Sequence, residues 1–401
     1  MKRFFAAALA ALMLLLTACA PDAPIVDHSQ AEDPAGAADP APSEETPPAE
    51  PEEPTPPPDP RQEAIDSLLA SMTVEEKVGQ LFFVRCPEFD AVADISTYHL
   101  GGYLLFGRDF KDKSVSDVTD LLETFQAMSE IPLLIGVDEE GGTVVRVSSN
   151  PNLAPEGKFP SPQRLYAQGG LEAIAQDAAS KSALLLGYGI NVNFAPVADV
   201  STDPADFIYD RSFGQDAQAT AEYVTTVVEQ MDAAGIGSVL KHFPGYGNNV
   251  DTHTGIAVDE RPYETFVESD FLPFEAGIAA GADSVLVSHN IVGSMDSTLP
   301  ASLSPEVHRV LREELGFTGV AMTDDLAMDA LAQYSADGSA AVLAVQAGND
   351  MIVTTDYESQ IPAVIAAVED GRISEERLDE AVTRVLAWKI RLGLIAPEGE
   401  P

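Results

Sequence analysis

The chain has only two cysteines, Cys19 and Cys86, among 401 residues. Two thiols cannot build a disulfide framework or a cysteine-rich zinc site. Basic residues are also scarce: 22 Lys and Arg stand against 65 Asp and Glu, a net charge of −43. Binding a phosphate backbone needs clustered Lys and Arg, so nucleic acid is excluded as a partner. No H-E-x-x-H motif and no Asp cluster at calcium-loop spacing occur, so neither metal nor cofactor is expected. Apolar residues make up an ordinary 45%, which rules out a wholly disordered chain.

The proline excess and one cysteine sit near the N-terminus. Lys2 and Arg3 precede FFAAALAALMLLL, the layout of a secretory signal. That run is short for a membrane-spanning helix, which needs about 20 apolar residues. It ends in Leu16-Thr17-Ala18-Cys19, which resembles a bacterial lipoprotein signal, where the cysteine is lipidated and becomes the mature N-terminus. Residues 1–19 are therefore expected to direct export, and Cys19 to anchor the chain to the outer face of a membrane. From Ala20 to Pro60, 41 residues hold 13 Pro, 11 Asp or Glu, and no Lys or Arg. Such a stretch cannot bury a core, and self-repulsion keeps it extended. Residues 20–60 read as a tether. Without leader and tether, 20 basic and 54 acidic residues remain, a charge of about −34, which disfavours a polyanionic substrate.

From Arg61 to the end, short runs rich in Val, Ile and Leu alternate with segments of helical period. Expected strands are FFVRC from Phe82, GGYLLF from Gly101, PLLIGVD from Pro132 and NVNFAPVAD from Asn191. Four more are GSVLKH from Gly237, DSVLVSH from Asp283, GVAMTDD from Gly319 and DMIVTT from Asp350. Between them lie amphipathic stretches such as SVSDVTDLLETFQAM and YETFVESDFLPFEAGIAAG. Near-continuous apolar strands separated by helices imply a parallel sheet covered on both faces. Eight such units predict a closed α/β (β/α)₈ TIM-type barrel, one catalytic domain over residues 61–401. An open doubly wound sheet is the alternative, but no G-x-G-x-x-G follows the first strand. A helix pair ending in SEERLDEAVTRVLAWKIRLGL carries the one tryptophan, Trp388.

Catalytic groups in such barrels stand where strands end. Strand three ends at Asp138, followed by Glu139-Glu140-Gly141-Gly142 and Arg146; strand four ends at Asp199, with Arg211 beyond it. Strand five ends in Lys241-His242 and runs into FPGYGNNVDTH, which carries Asp251 and His253. Strand six ends at His289 and strand seven at Asp324-Asp325. Each has a bland alternative: a helix N-cap for Asp325 more readily than for Asp324, an ion pair with Asp206 or Asp210 for Arg211, a satisfied core histidine for a single His at a strand end such as His242 or His289. The opposite strand ends are mostly Gly or Pro. The pattern suits displacement at an anomeric carbon, with an aspartate attacking while a second group protonates the leaving oxygen. Asp251 and His253, two apart in a loop, can pair as carboxylate and imidazole, a contact that favours the protonated ring. Lys241, His242, Arg146 and Arg211 supply donors for sugar hydroxyls.

KHFPGYG at Lys241 followed by DTH at Asp251 resembles the signature of the β-N-acetylhexosaminidases of glycoside hydrolase family 3. GGYLLFGR, GVDEEGGTVVR, NFAPVADV, RSFG, VLVSH and AMTDDLAM agree in order, so the resemblance spans roughly Arg61 to Ala396. It implies that Asp324 is the nucleophile, that His253 is the acid/base and that Asp251 is its partner. It further implies that Asp138, Arg146, Arg211, Lys241, His242 and His289 bind the terminal N-acetylglucosamine, with retention at the anomeric carbon. The implied substrates are peptidoglycan fragments or chitooligosaccharides, and the implied form is a monomer anchored at Cys19. The chain departs from the family at Tyr246, where His is usual, in the shorter spacing before Asp251, and at Thr143. Three other activities fit the same residues: a family 3 enzyme for another sugar, a glycoside phosphorylase, and a non-catalytic lipid-anchored sugar-binding protein.

Overall fold

In the computed structural model the described residues are 59–249, 257–331, 333, 334 and 339–397, and they belong to one compact unit. Eight parallel strands form its sheet. They are β1 Phe82–Arg85, β2 Gly102–Leu105, β3 Leu134–Val137, β4 Val192–Asn193, β5 Gly237–Phe243, β6 Ser284–Val287, β7 Val320–Thr323 and β8 Ile352–Thr354. Neighbours pair in sequence order, and β8 returns to β1 through Phe82↔Ile352. A bridge between Met322 and Met351 closes β7 onto β8. The sheet is thus a (β/α)₈ barrel, and every strand falls within the run that predicts it except β5, which runs one residue further, to Phe243.

The helices form for local reasons. Helix Val115–Met128 begins at a capping box, with Ser114 and Asp117 bonding each other's backbone. Its buried residues Val118, Leu122 and Phe125 recur at the spacing of one helical face. Two expectations need correction. The stretch from Tyr263 is not one uniform helix: it widens over Phe266–Asp270 before continuing as Phe271–Ala279. Pro273 lies just beyond and has no amide hydrogen to complete the regular ladder. The fourth strand does not reach Asp199. Its ladder stops at Asn193, because Pro196 likewise cannot donate, and resumes as one bridge between Val197 and Lys241.

Alternation along the strands divides the core in two. Phe82, Val84, Tyr103, Leu105, Ile135 and Val137 face the helices. Phe83, Leu104, Leu134, Val192, Phe194, Val239, Leu286, Met322 and Val353 fill the barrel. Phe83 and Phe194 meet edge to face at 5.2 Å. A side chain on Gly136 would strike both rings, at 2.6 Å from Phe194 and 2.7 Å from Phe83. Glycine there lets two aromatics fill the barrel's width. Each large side chain in this plug contributes about 1.5–3 kcal/mol.

Helix Glu375–Arg391 seals the lower end. Val385 and Trp388 join the barrel's interior cluster, and a Cβ on Gly237 would lie 2.9 Å from the Trp388 ring. The lower rim is not limited to Gly and Pro. Asp350 is buried between Arg312, Arg377 and Arg384, at 2.5, 3.2 and 3.0 Å. Asp283 accepts from the Ser238 amide and pairs with Arg391. Three of these arginines lie on the sealing helix, so the lower carboxylates tie that helix to the barrel. Cys86 is buried, as expected of a small apolar residue, and burial pushes its thiol up to about 12.

Candidate active site

The inward set that forms the plug continues upward into polar residues. Two positions above Phe83 stands Arg85, above Leu104 stands Phe106, and above Gly136 stands Asp138. Above Val239 stands Lys241, and above Met322 stands Asp324. With Glu140, Arg146, Arg211 and His242 these residues line a cleft of about 560 Å³ at the upper mouth. The strand period of two therefore fixes which side chains face the opening.

Glu140 is the centre of the charge arrangement. Its carboxylate takes two bonds from Arg211, at 3.0 and 2.7 Å, and Lys241 Nζ lies 2.6 Å away. Lys241 also donates to Asp138 at 2.7 Å, and Arg146 approaches Asp138 at 3.7 Å. Burial would raise the Glu140 carboxyl, but Arg211 and Lys241 outweigh it and hold it below the usual carboxylate range. Burial would likewise lower Arg211, yet Glu140 keeps it above its ordinary value. The Arg211 partner is therefore Glu140, not Asp206 or Asp210.

His242 is held in one tautomer. Its Nδ1 lies 2.7 Å from Asp199 Oδ2, and Arg211 contacts its Nε2 at 3.2 Å. A guanidinium can only donate, so Nε2 accepts and Nδ1–H donates to Asp199. Asp199 also accepts from the amides of His242 and Tyr246. Tyr246, where the resembled family has His, packs its ring edge-on against His242 at 5.1 Å.

The neighbouring acids have structural roles. Glu139, fully buried, accepts from the Arg146 and Val147 amides and from the Ser148 hydroxyl. It shapes the loop that delivers Arg146. Gly141 has φ +101° and would drive a Cβ to 2.3 Å from the Pro160 carbonyl, so this turn requires glycine. Asp325 caps no helix, contrary to expectation, because the chain turns after β7 and only a short 3-10 segment follows at Asp329–Leu331. Instead it accepts from the Ala327 and Thr355 amides and the Thr355 hydroxyl, which ties the turn to the end of β8. Asp324 Oδ1 accepts from the Asp325 amide at 2.8 Å.

Six of the expected residues meet at the cleft: Asp138, Arg146, Arg211, Lys241, His242 and Asp324. His289 lies beneath the Asp324–Asp325 turn instead, against the Asp325 carbonyl at 3.1 Å and Ser302 at 2.8 Å. Asp251, His253 and Cys19 lie outside the described residues. The flanks of the 250–256 segment are clipped together: Asn249 donates to Asp259, and Arg261 joins Asp259, Asp270 and the Gly245 carbonyl. The sequence places Glu140 and Asp199 at the rim without a role and leaves Arg85 unmarked, yet all three line or support the cleft. Arg85 was visible as a lone charge at an inward position of an apolar strand; the pairings of Glu140 and Asp199 are tertiary. Glu76, His99 and Glu130 bring potential metal-ligand atoms within 4.8 Å of one another, but beside the lower ends of β1 and β2.

A closed parallel barrel that gathers carboxylates and cations around one upper cleft is the architecture of a barrel enzyme. Residues 73–388 match the glycosyl hydrolase family 3 N-terminal domain, and the chain belongs to that family of glycoside hydrolases. It is 33% identical over 303 residues to a β-hexosaminidase of Xanthomonas oryzae, covering 74% of this chain and 88% of that protein. A family 3 β-N-acetylglucosaminidase from Paenibacillus superposes with a TM-score of 0.74 at 33% identity, covering 82% of this chain and 65% of the other. A β-N-acetylhexosaminidase from Beutenbergia cavernae superposes at 0.72 with 30% identity, covering 79% and 98%.

Removing the Glu140 carboxylate leaves Arg211 and Lys241 buried without it. Glu140→Ala is expected to lower unfolding stability by about 3–5 kcal/mol, measured by urea denaturation. A loss below about 1 kcal/mol would contradict its central place.

Proposed function

We propose that this chain is a retaining exo-β-N-acetylglucosaminidase that removes terminal N-acetylglucosamine from peptidoglycan fragments or chitooligosaccharides. The observation that carries this reading is Asp324 at the end of β7, in the same cleft as the Asp138–Lys241–Glu140–Arg211–His242 cradle. The similarity to β-hexosaminidases and β-N-acetylglucosaminidases supports the sugar class.

In this reading the cradle holds the terminal sugar through its hydroxyls. Lys241 and Arg211 are already fixed by Glu140, so little side-chain freedom is lost when the sugar binds. His242, locked as the Nδ1–H tautomer, adds an oriented imidazole. Asp324 attacks the anomeric carbon from one face and forms a glycosyl ester as the leaving oxygen departs. His253, oriented by Asp251, protonates that oxygen and then draws a proton from the water that cleaves the ester. Two displacements give net retention.

The N-terminal residues supply an address. The leader through Cys19 exports the chain and provides a lipid anchor, and residues 20–60 tether the barrel to the outer face of the membrane. No described helix is long and apolar enough to cross a membrane. The proposed enzyme acts as a monomer.

Wild-type protein is expected to release product from a chromogenic N-acetyl-β-glucosaminide, and Asp324→Ala to lower kcat by about 10³-fold or more. Equal activity of the two proteins would refute the assigned nucleophile. For the anchor, a clickable fatty acid fed to expressing bacteria should label wild-type chain and not Cys19→Ala. Label retained on the variant would refute lipidation at that cysteine.

A further inference from the structure

Arg85 has no role in the cradle. It is the last residue of β1 and continues the inward face begun by Phe83, which carries its side chain to the cleft. Among the described residues it has no hydrogen bond or ion pair, and its buried Nε finds no acceptor. Its guanidinium lies over the Phe106 ring, 4.2 Å from the centroid. Asp109, whose carboxyl senses the Arg85 charge, is engaged by Arg108 at 3.5 Å and by the Phe106 amide at 2.7 Å. The other cleft cations have acidic partners: Lys241 holds Asp138 and Glu140, Arg211 holds Glu140, and Arg146 approaches Asp138. Arg146 also lies over Phe106, 5.4 Å from its centroid, and its own buried Nε is without an acceptor.

A guanidinium that bonds none of the carboxylates in its cleft presents a planar fork of donors to whatever enters. The stacked ring fixes the plane of that fork and reduces the freedom lost on binding. Buried donors are normally satisfied, and the cost of leaving them unmade is recovered when an acceptor arrives. β1 lies across the barrel mouth from β5, whose Lys241 and His242 belong to the sugar cradle. Arg85 therefore approaches the cleft from the side opposite Lys241 and His242.

We propose that Arg85, stacked on Phe106 and assisted by Arg146, forms a subsite for a carboxylate carried by the substrate, so that the enzyme prefers acidic oligosaccharides to neutral ones. This rests on the proposed N-acetylglucosaminidase activity. The acceptor chemistry is shared with inorganic phosphate, which would enter as a co-substrate rather than as part of the sugar chain.

The test compares wild type, Arg85→Met and Arg85→Lys on N,N′-diacetylchitobiose and on N-acetylglucosamine β-linked to the lactyl-bearing sugar acid N-acetylmuramic acid. Arg85→Met is expected to lower kcat/KM on the acidic disaccharide by about 10- to 100-fold. The neutral one should change by less than about twofold, and Arg85→Lys should restore part of the loss. An equal loss on both substrates, or no loss on either, overturns the proposal. So does a loss seen only in phosphate-dependent release of sugar 1-phosphate. A wild-type chain inactive on both disaccharides sinks the proposed activity but leaves the subsite testable by calorimetry. Wild type should then bind the acidic disaccharide more tightly than the neutral one. Arg85→Met should erase that difference, and a difference that survives overturns the subsite.

Discussion

The cleft depends on one buried carboxylate. Glu140 sits between a guanidinium and an ammonium, both within 2.7 Å, and compensates the charge of each. Taking three charges out of water is costly unless each satisfies another. The arrangement meets this condition with a bidentate arginine and a lysine shared with Asp138. From this group the rest of the cradle follows. Arg211, held by Glu140, contacts His242, and Asp199 fixes the opposite side of the same ring.

The barrel underneath makes that charge cluster affordable in geometry. Eight strands place every second residue inward, so an apolar plug and a polar mouth alternate only with height. Phe83, Phe194 and Met322 close the floor, and the next inward positions carry Arg85, Asp138, Lys241 and Asp324. The lower end has buried charges too, but there Asp350 and Asp283 bind arginines of the sealing helix. Carboxylates at the two rims thus serve different ends: one set fastens a helix, the other faces a cleft.

The fold was legible in the sequence because a parallel barrel writes itself as apolar runs at regular intervals. The eight runs sufficed to locate the strands, while Pro196 and Pro273 account for local departures from ideal ladders. The strand-end acids and cations were legible for the same reason. Their pairing was not. Arg211 is separated from Glu140 by 71 positions, and no local pattern distinguishes that partner from Asp206 or Asp210. Nor does sequence reveal that His289 points beneath the turn while His242 faces the cleft. Tyr246 shows how a departure from the family signature is absorbed, since its ring packs on His242 and its amide still reaches Asp199.

Double displacement on Asp324 is the claim on which the functional reading stands. An N-acetylglucosaminyl fluoride made slow to turn over by a second fluorine on its ring would trap the covalent glycosyl-enzyme. Peptide mass mapping should then find one sugar on the peptide that carries Asp324, and none on the Asp324→Asn protein. A sugar attached elsewhere, or active enzyme that the reagent never labels, would contradict the mechanism.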